Sequence, residues 1–307
     1  MRITDDQIAH LREEGYVVVE GFLTADELEA CRAELHRLFP TREQYFANPD
    51  RYRALPRFAT FPFTGPTLNH VATHPELISF VERLLGTTEL ELGESLVQAK
   101  YSSFGTGGAD ELMHCDAWGK NQLAYPRDDG IFRQVPMILY YTDVTEANGP
   151  TFVVSQRHTH DLFLLPPTRT REEASWLYDL AEPVLAPAGS ILVMSARTFH
   201  HGSSFEGEGQ ARFVQFFTYR AAATRWMESQ NWPSKPPLPD VPAMTRFMET
   251  ATPQQRELLG FPRPGHEYWN EATLRGVAAR YPNMDMTPYR EAVAPAVEEP
   301  LAAGRPA

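Results

Sequence analysis

The sequence predicts a mainly β fold with flanking helices, a sandwich or barrel, and three observations carry that expectation. From about Leu90 the apolar pattern breaks into short Val-, Ile-, Phe- and Tyr-rich segments near 94–104, 135–143, 150–155, 183–186, 189–196 and 211–220. Turn clusters such as Asn148-Gly-Pro and Glu206-Gly-Glu-Gly separate them, where alternating βαβ units would need intervening helices. The segments before and after this region carry helical stripes with recognisable caps.

The first helix opens on a capping box, Thr4 with Gln7, carries Ile8 and Leu11 on one face, and ends at Gly15. Tyr16-Val-Val-Val is a short strand. A second box, Thr24 with Glu27, starts a helix whose stripe is Leu28, Cys31, Leu35 and Leu38, stopped by Pro40. His74-Pro75 opens a third helix through Phe80, Val81 and Leu84 to Gly86. Residues 221–290 return to loops and helices containing Trp226, Trp232 and Trp269. One domain is expected over 1–290, with a helical part over 1–88, a β core over 89–220 and a loop and helix part over 221–290. The Ala-, Pro- and Glu-rich stretch 291–307 reads as a disordered tail.

The 307 residues carry 28 Lys and Arg against 40 Asp and Glu, and 28 − 40 = −12. An acidic chain lacks the basic surface that nucleic acid or an anionic membrane requires, so neither is expected as a partner. No apolar run approaches the ~18 residues of a membrane span. The opening Met1-Arg-Ile-Thr-Asp-Asp-Gln has no apolar signal core. Two cysteines, Cys31 and Cys115, are too few for a disulfide framework or a thiolate zinc site. The expected location is the cytoplasm, and oligomeric state is not legible.

His114-Cys115-Asp116 lies in the β-rich region. On an extended chain His114 and Asp116 share a face while Cys115 points away as a small packing residue. Two histidines and one carboxylate make the facial set of non-haem Fe(II) oxygenases, and Thr198-Phe-His-His-Gly-Ser offers two candidates for the third ligand. Arg212 follows 11 residues after His201, across an expected hairpin turn at Glu206–Gly209. Its planar fork suits a carboxylate such as that of 2-oxoglutarate. His158 and His160 form a second His-x-His, expected as surface residues.

His114-x-Asp116, His201-Gly-Ser203 and Arg212, together with Gly15-Tyr-Val-Val-Val-Glu-Gly-Phe-Leu, Asn148-Gly-Pro and Ser155-Gln-Arg-His, resemble the phytanoyl-CoA dioxygenase family of Fe(II)/2-oxoglutarate oxygenases. The resemblance covers about residues 3–220, although a glycine often stands where Gln156 is. It implies a double-stranded β-helix, the cupin-like jelly roll, with Fe(II), 2-oxoglutarate and O2 as cofactor and co-substrates. It implies His114, Asp116 and His201 as iron ligands, because the His-Gly-Ser frame and the 11-residue spacing select His201 over His200. Arg212 is then the partner of the distal 2-oxoglutarate carboxylate, with Ser203 hydrogen-bonding nearby. Gln98 and Lys100, on one face of a predicted strand, resemble positions that help hold 2-oxoglutarate, and Thr151 is expected to line the same pocket. Family halogenases lack the carboxylate ligand, so the presence of Asp116 argues against halogenation.

Hydroxylation of an unactivated C–H bond is the expected outcome, with desaturation, epoxidation or ring formation as variants. The expected substrate is a small molecule, foremost a natural-product intermediate, with a fatty acyl chain or acyl-CoA next. Thr41–Phe63 combines Arg42, Arg51, Arg53 and Arg57 with Tyr45, Phe46, Tyr52, Phe58 and Phe61, which suits either a substrate lid or solvated arginines over buried rings. Trp118, Lys120 and Asn121 follow the metal motif closely enough to face the pocket. The rival readings are a jelly-roll binder without activity and a zinc hydrolase using the same ligand types.

Overall fold

A computed structural model describes residues 2–102, 110–116, 132–160, 162, 169–223 and 241–292 of the protein. Trp118, Lys120, Asn121, Trp226, Trp232 and the stretch 293–307 lie outside the described residues. The N-terminal part forms as the caps predict. Helix α1 (Asp5–Glu14) has the reciprocal Thr4–Gln7 box and ends at Gly15, whose φ of 81° suits glycine. Strand β1 (Tyr16–Val19) follows, then α2 (Ala25–Leu38) with its Thr24–Glu27 box. Short helices α3 (Arg42–Ala47) and α4 (Pro49–Tyr52), strand β2 (Phe58–Thr60), α5 (Pro66–Val71) and α6 (Pro75–Leu85) complete this part.

The β region contains β3 (Leu90–Tyr101), β4 (Gln134–Tyr140), β5 (Thr151–Val153), β6 (Glu182–Pro183), β7 (Ile191–Met194), β8 (His200–Gly202) and β9 (Ala211–Ala221), with α7 (Ser175–Asp179) between β5 and β6. A six-stranded antiparallel sheet has the order β1-β7-β4-β9-β3-β2, and a three-stranded sheet has the order β6-β5-β8. The jelly-roll expectation is met. Recruitment of the N-terminal strand β1 beside β7 ties the first helices to the sheet.

Strand alternation divides the large sheet cleanly. Val97, Ala99, Tyr101, Met137, Tyr141, Phe213, Phe217 and Tyr219 point to the helical side, where they join Leu11, Leu35, Phe80 and Val81 in the main core. Ile138, Tyr140, Leu192, Met194 and Val214 point inward and meet Val153 of the small sheet. Ser95 and Gln215 sit on the helical side, where the Gln215 amide donates to Ser95 Oγ (3.0 Å) and its carbonyl accepts from the Tyr141 hydroxyl (2.5 Å).

The C-terminal helices α8 (Val241–Thr250), α9 (Pro253–Glu257), α10 (Glu271–Arg280) and α11 (Thr287–Glu291) cover the helical side. Phe247, Met248, Trp269 and Tyr289 belong to the main core. The buried Arg256 guanidinium donates to Met248 O (2.7 Å) and to the Tyr289 hydroxyl (3.1 Å). Among the described residues no helix is long and apolar enough to cross a membrane.

Candidate active site

The inward face of the large sheet carries two cations. Lys100 on β3 stands directly opposite Arg212 on β9, so both side chains share the interior face with Val214. Arg212 is only 5 % exposed, and its Nε and Nη1 have no hydrogen-bond acceptor among the described residues. Burial lowers its affinity for the proton, while Tyr140 and Glu111 oppose that shift. A buried guanidinium with two orphan donor nitrogens is costly unless a ligand supplies the acceptor. Lys100 Nζ donates to the Ser203 carbonyl (2.9 Å), and burial, then Arg212, push its pKa down to about 8.

Ser203 therefore reaches the site through its carbonyl, since its hydroxyl donates to Pro150 O (2.8 Å). Gly149 sets this junction: its φ is +69°, and a Cβ there would lie 2.8 Å from Ser203 O. Thr151 faces inward across from Gly202, and Gln98 lies on the Lys100 face, opposite Val214 on one side and Phe58 on the other. Tyr140, which the sequence reading did not single out, is fully buried beside Thr151 and Arg212. Alternation along β4 was the available signal, because Tyr140 pairs with Val214 two positions from Arg212.

On the side of the small sheet His114, Asp116 and His200 come together, and one potential ligand atom of each lies within 4.8 Å of the others. His114 and His200 are opposite each other in an antiparallel bridge, exchanging N–H···O bonds of 3.0 and 2.8 Å, which puts both rings on one face. The ring centroids are 4.3 Å apart. His114 Nδ1 is 2.8 Å from Leu112 O, and His200 Nδ1 is 2.9 Å from Thr198 O. These carbonyls fix Nδ1 as the protonated nitrogen and leave Nε2 of each ring with its lone pair, an arrangement that supports ligating histidines. Burial lowers the His200 pKa, which favours the neutral imidazole that a metal needs.

The placement differs from the expectation at the third position of the set, where His200 and not His201 joins His114 and Asp116. His201 is not beside His114 and Asp116. It points to the opposite face of β8, 2 % exposed, stacked on Phe152 at 5.1 Å and 8° and 5.1 Å from the Tyr178 ring. The reason is topological. β8 and β9 form no hairpin: β8 pairs with β5 in the small sheet, and β9 pairs with β3 and β4 in the large one. Arg212 stands on the large sheet, and the bridge from His200 to His114 in the small one decides which histidine turns inward. Cys115 does turn away, into a second cluster with Met113, Val154 and Phe199. His158 lies on an exposed turn.

The Thr41–Phe63 segment is mostly structural. Tyr45 stacks on Tyr101 at 3.9 Å, Phe61 packs against Phe247, Arg53 pairs with Asp50, Arg51 lies over Tyr52, and Arg42 donates to Gly209 O. Phe58 is the exception. It is 53 % exposed at the sheet edge, on the same face as Gln98 and Lys100.

Known proteins support the fold and class. A protein of Aspergillus fumigatus, "Dioxygenase af480", is 27 % identical over 290 residues, covering 91 % of this chain and 83 % of that one. HygX of Streptomyces hygroscopicus, solved with nickel and 2-oxoglutarate bound, superposes with a TM-score of 0.53 at 18 % identity over 74 % of this chain and 89 % of that chain. The epimerase SnoN, solved with Fe3+, α-ketoglutarate and nogalamycin RO, gives 0.54 at 20 % identity over 76 % and 93 %. Residues 11–213 match the family described as "Phytanoyl-CoA dioxygenase (PhyH)". The chain belongs to the phytanoyl-CoA dioxygenase family and is a non-haem Fe(II)/2-oxoglutarate-dependent dioxygenase.

Proposed function

We propose that the protein hydroxylates an unactivated C–H bond of a small molecule, foremost a natural-product intermediate. In this reading His114, Asp116 and His200 hold the iron, and Arg212 with Lys100 takes the distal carboxylate of 2-oxoglutarate. The observation that carries it is the pairing of two histidines and one carboxylate with a buried guanidinium that lacks an acceptor among the described residues, on the facing sides of the two sheets. The donor set fits the ion: two oriented imidazoles and one carboxylate leave room for further ligands. A zinc hydrolase needs the set but has no use for the orphaned cation opposite it.

The bound iron supplies O2 activation coupled to decarboxylation of the co-substrate. The overall balance is R–H + O2 + 2-oxoglutarate → R–OH + succinate + CO2. The protein's own residues orient the reactants. Thr198 O and Leu112 O fix the imidazoles, Arg212 and Lys100 anchor one end of the co-substrate, and the inward Ile138, Leu192, Met194 and Val214 make an apolar wall around them. Incubating the iron-loaded enzyme with candidate small molecules, 2-oxoglutarate and labelled O2 tests the outcome. The product is expected to gain one labelled oxygen atom. A product lacking that atom favours the second reading, a desaturation or isomerisation, which the likeness to an epimerase keeps in view.

Phe58 is placed to touch the substrate, because it is an exposed ring on the cavity face at the sheet edge. Loss of an aromatic contact typically costs about 0.5–1.5 kcal/mol, so Phe58→Ala should raise the substrate KM roughly 3- to 10-fold. The 2-oxoglutarate dependence should stay unchanged in the same steady-state measurement.

Lys100 makes a pH dependence. Its pKa of about 8 in the free enzyme means the ammonium is charged below that pH and neutral above it. The dianionic co-substrate binds the charged form better, so its affinity should be full below pH 8 and fall as pH rises through 8. Lys100→Met should flatten that profile while lowering affinity throughout.

A further inference from the structure

Glu111 lies between the two halves of the site. Its backbone N–H donates to Gly202 O (2.8 Å), and Gly202 N–H donates back to Glu111 Oε2 (3.3 Å). The carboxylate rests on the bare α-carbon of Gly202: a Cβ there would lie 2.9 Å from both Cδ and Oε2. Gly202 is two residues beyond His200 on the same inward face, and directly opposite Thr151. The next residue, Ser203, supplies the carbonyl that holds Lys100. The Glu111 carboxylate thus lies over Gly202, the floor between His200 and the Ser203 carbonyl that holds Lys100, and its charge also acts on His200, Lys100 and Arg212. A co-substrate that chelates iron at one end and meets Arg212 at the other has to cross that floor.

We propose that Glu111 sets the affinity for 2-oxoglutarate by competing with it: without the co-substrate its carboxylate screens the Lys100–Arg212 pair, and on binding it is displaced into solvent. The displacement is easy because Glu111 is itself exposed. Two like charges facing each other across β3 and β9 repel in a low-dielectric interior, so an anion near them is favourable, whichever molecule carries it. Glycine at 202 keeps the floor free for either occupant. The inference rests on the assignment of Arg212 and Lys100 to 2-oxoglutarate.

The test is the dissociation constant of 2-oxoglutarate, measured anaerobically by calorimetry on protein saturated with Fe(II), for wild type, Glu111→Gln, Glu111→Ala and Arg212→Ala. Removing one competing charge near a partly desolvated pair should tighten binding roughly 3- to 10-fold in both Glu111 variants. The melting temperature of the 2-oxoglutarate-free protein should fall or stay level, while the shift produced by adding 2-oxoglutarate should grow. A residue that merely braces the loop would instead lower both. Unchanged or weaker binding in Glu111→Gln, with Arg212→Ala still strongly impaired, overturns the role of Glu111 alone. Wild-type binding that ignores Arg212→Ala overturns the underlying site and this inference with it.

Discussion

Replacing His200 by alanine is expected to lower Fe(II) affinity by well over 100-fold and abolish succinate formation, whereas His201→Ala keeps both. Loss of a partner that merely orients a ligand typically costs about 10–100-fold in metal affinity, and loss of a ligand itself should exceed that. The contrast follows from β8 alone. His200 faces His114 across an antiparallel bridge, and His201 stacks on Phe152 on the other side of the strand. His201→Ala should still weaken the fold, by about 0.5–3 kcal/mol, because it empties a buried, stacked position. Iron content after anaerobic reconstitution, read beside the melting temperature, separates the two effects. A His201 variant that folds yet holds no iron would reverse the assignment.

Arg212 carries the second large effect. Its guanidinium is buried with two donor nitrogens that have no acceptor among the described residues. Truncating one partner of such a charge pair typically costs about 2–5 kcal/mol, so Arg212→Ala should weaken 2-oxoglutarate binding by roughly 30-fold or more. Arg212→Lys keeps the charge and loses the fork, and should fall in between. Arg212→Met should melt no lower than wild type in the absence of 2-oxoglutarate, since it removes a buried charge that faces Lys100 and whose Nε and Nη1 lack an acceptor among the described residues. Iron binding should survive all three. A guanidinium serving only the fold would show the opposite pattern, with lower stability and an unaltered 2-oxoglutarate dependence.

Much of the scaffold was legible because its signals are local. Thr4, Thr24 and His74-Pro75 mark helix starts with side chains that bond their own backbone, and Gly15 and Gly86 end helices at left-handed positions. The same holds for His114 and Asp116, where a two-residue period decides the shared face. What was not legible depends on which strands become neighbours. The resemblance favoured His201 through its His-Gly-Ser frame and the spacing to Arg212, whereas the fold brings His200 beside His114 and Asp116. His200 is selected by its partner across the bridge, a contact 86 positions away along the chain (200 − 114 = 86). Tyr140 and Glu111 escaped notice for the same reason. Tyr140 reads as an ordinary core tyrosine until β9 brings Arg212 beside it, and Glu111 reads as a surface carboxylate until Gly202 lies beneath it. The arginines and rings of 41–63 show the reverse. Their composition suggests a lid, yet packing against Tyr101 and Phe247 absorbs Tyr45 and Phe61 and leaves Phe58 to face the cavity.

The central claim is that one cavity holds iron through His114, Asp116 and His200 and 2-oxoglutarate through Arg212. Anaerobic titration of the protein with Fe(II) and then 2-oxoglutarate tests it most directly, because chelation of the ion by the 2-oxo acid produces a visible charge-transfer absorption. The band is expected in wild type and in His201→Ala, absent in His200→Ala, and shifted to much higher 2-oxoglutarate concentration in Arg212→Ala. A band that persists in His200→Ala and vanishes in His201→Ala, or one indifferent to Arg212, would contradict the account.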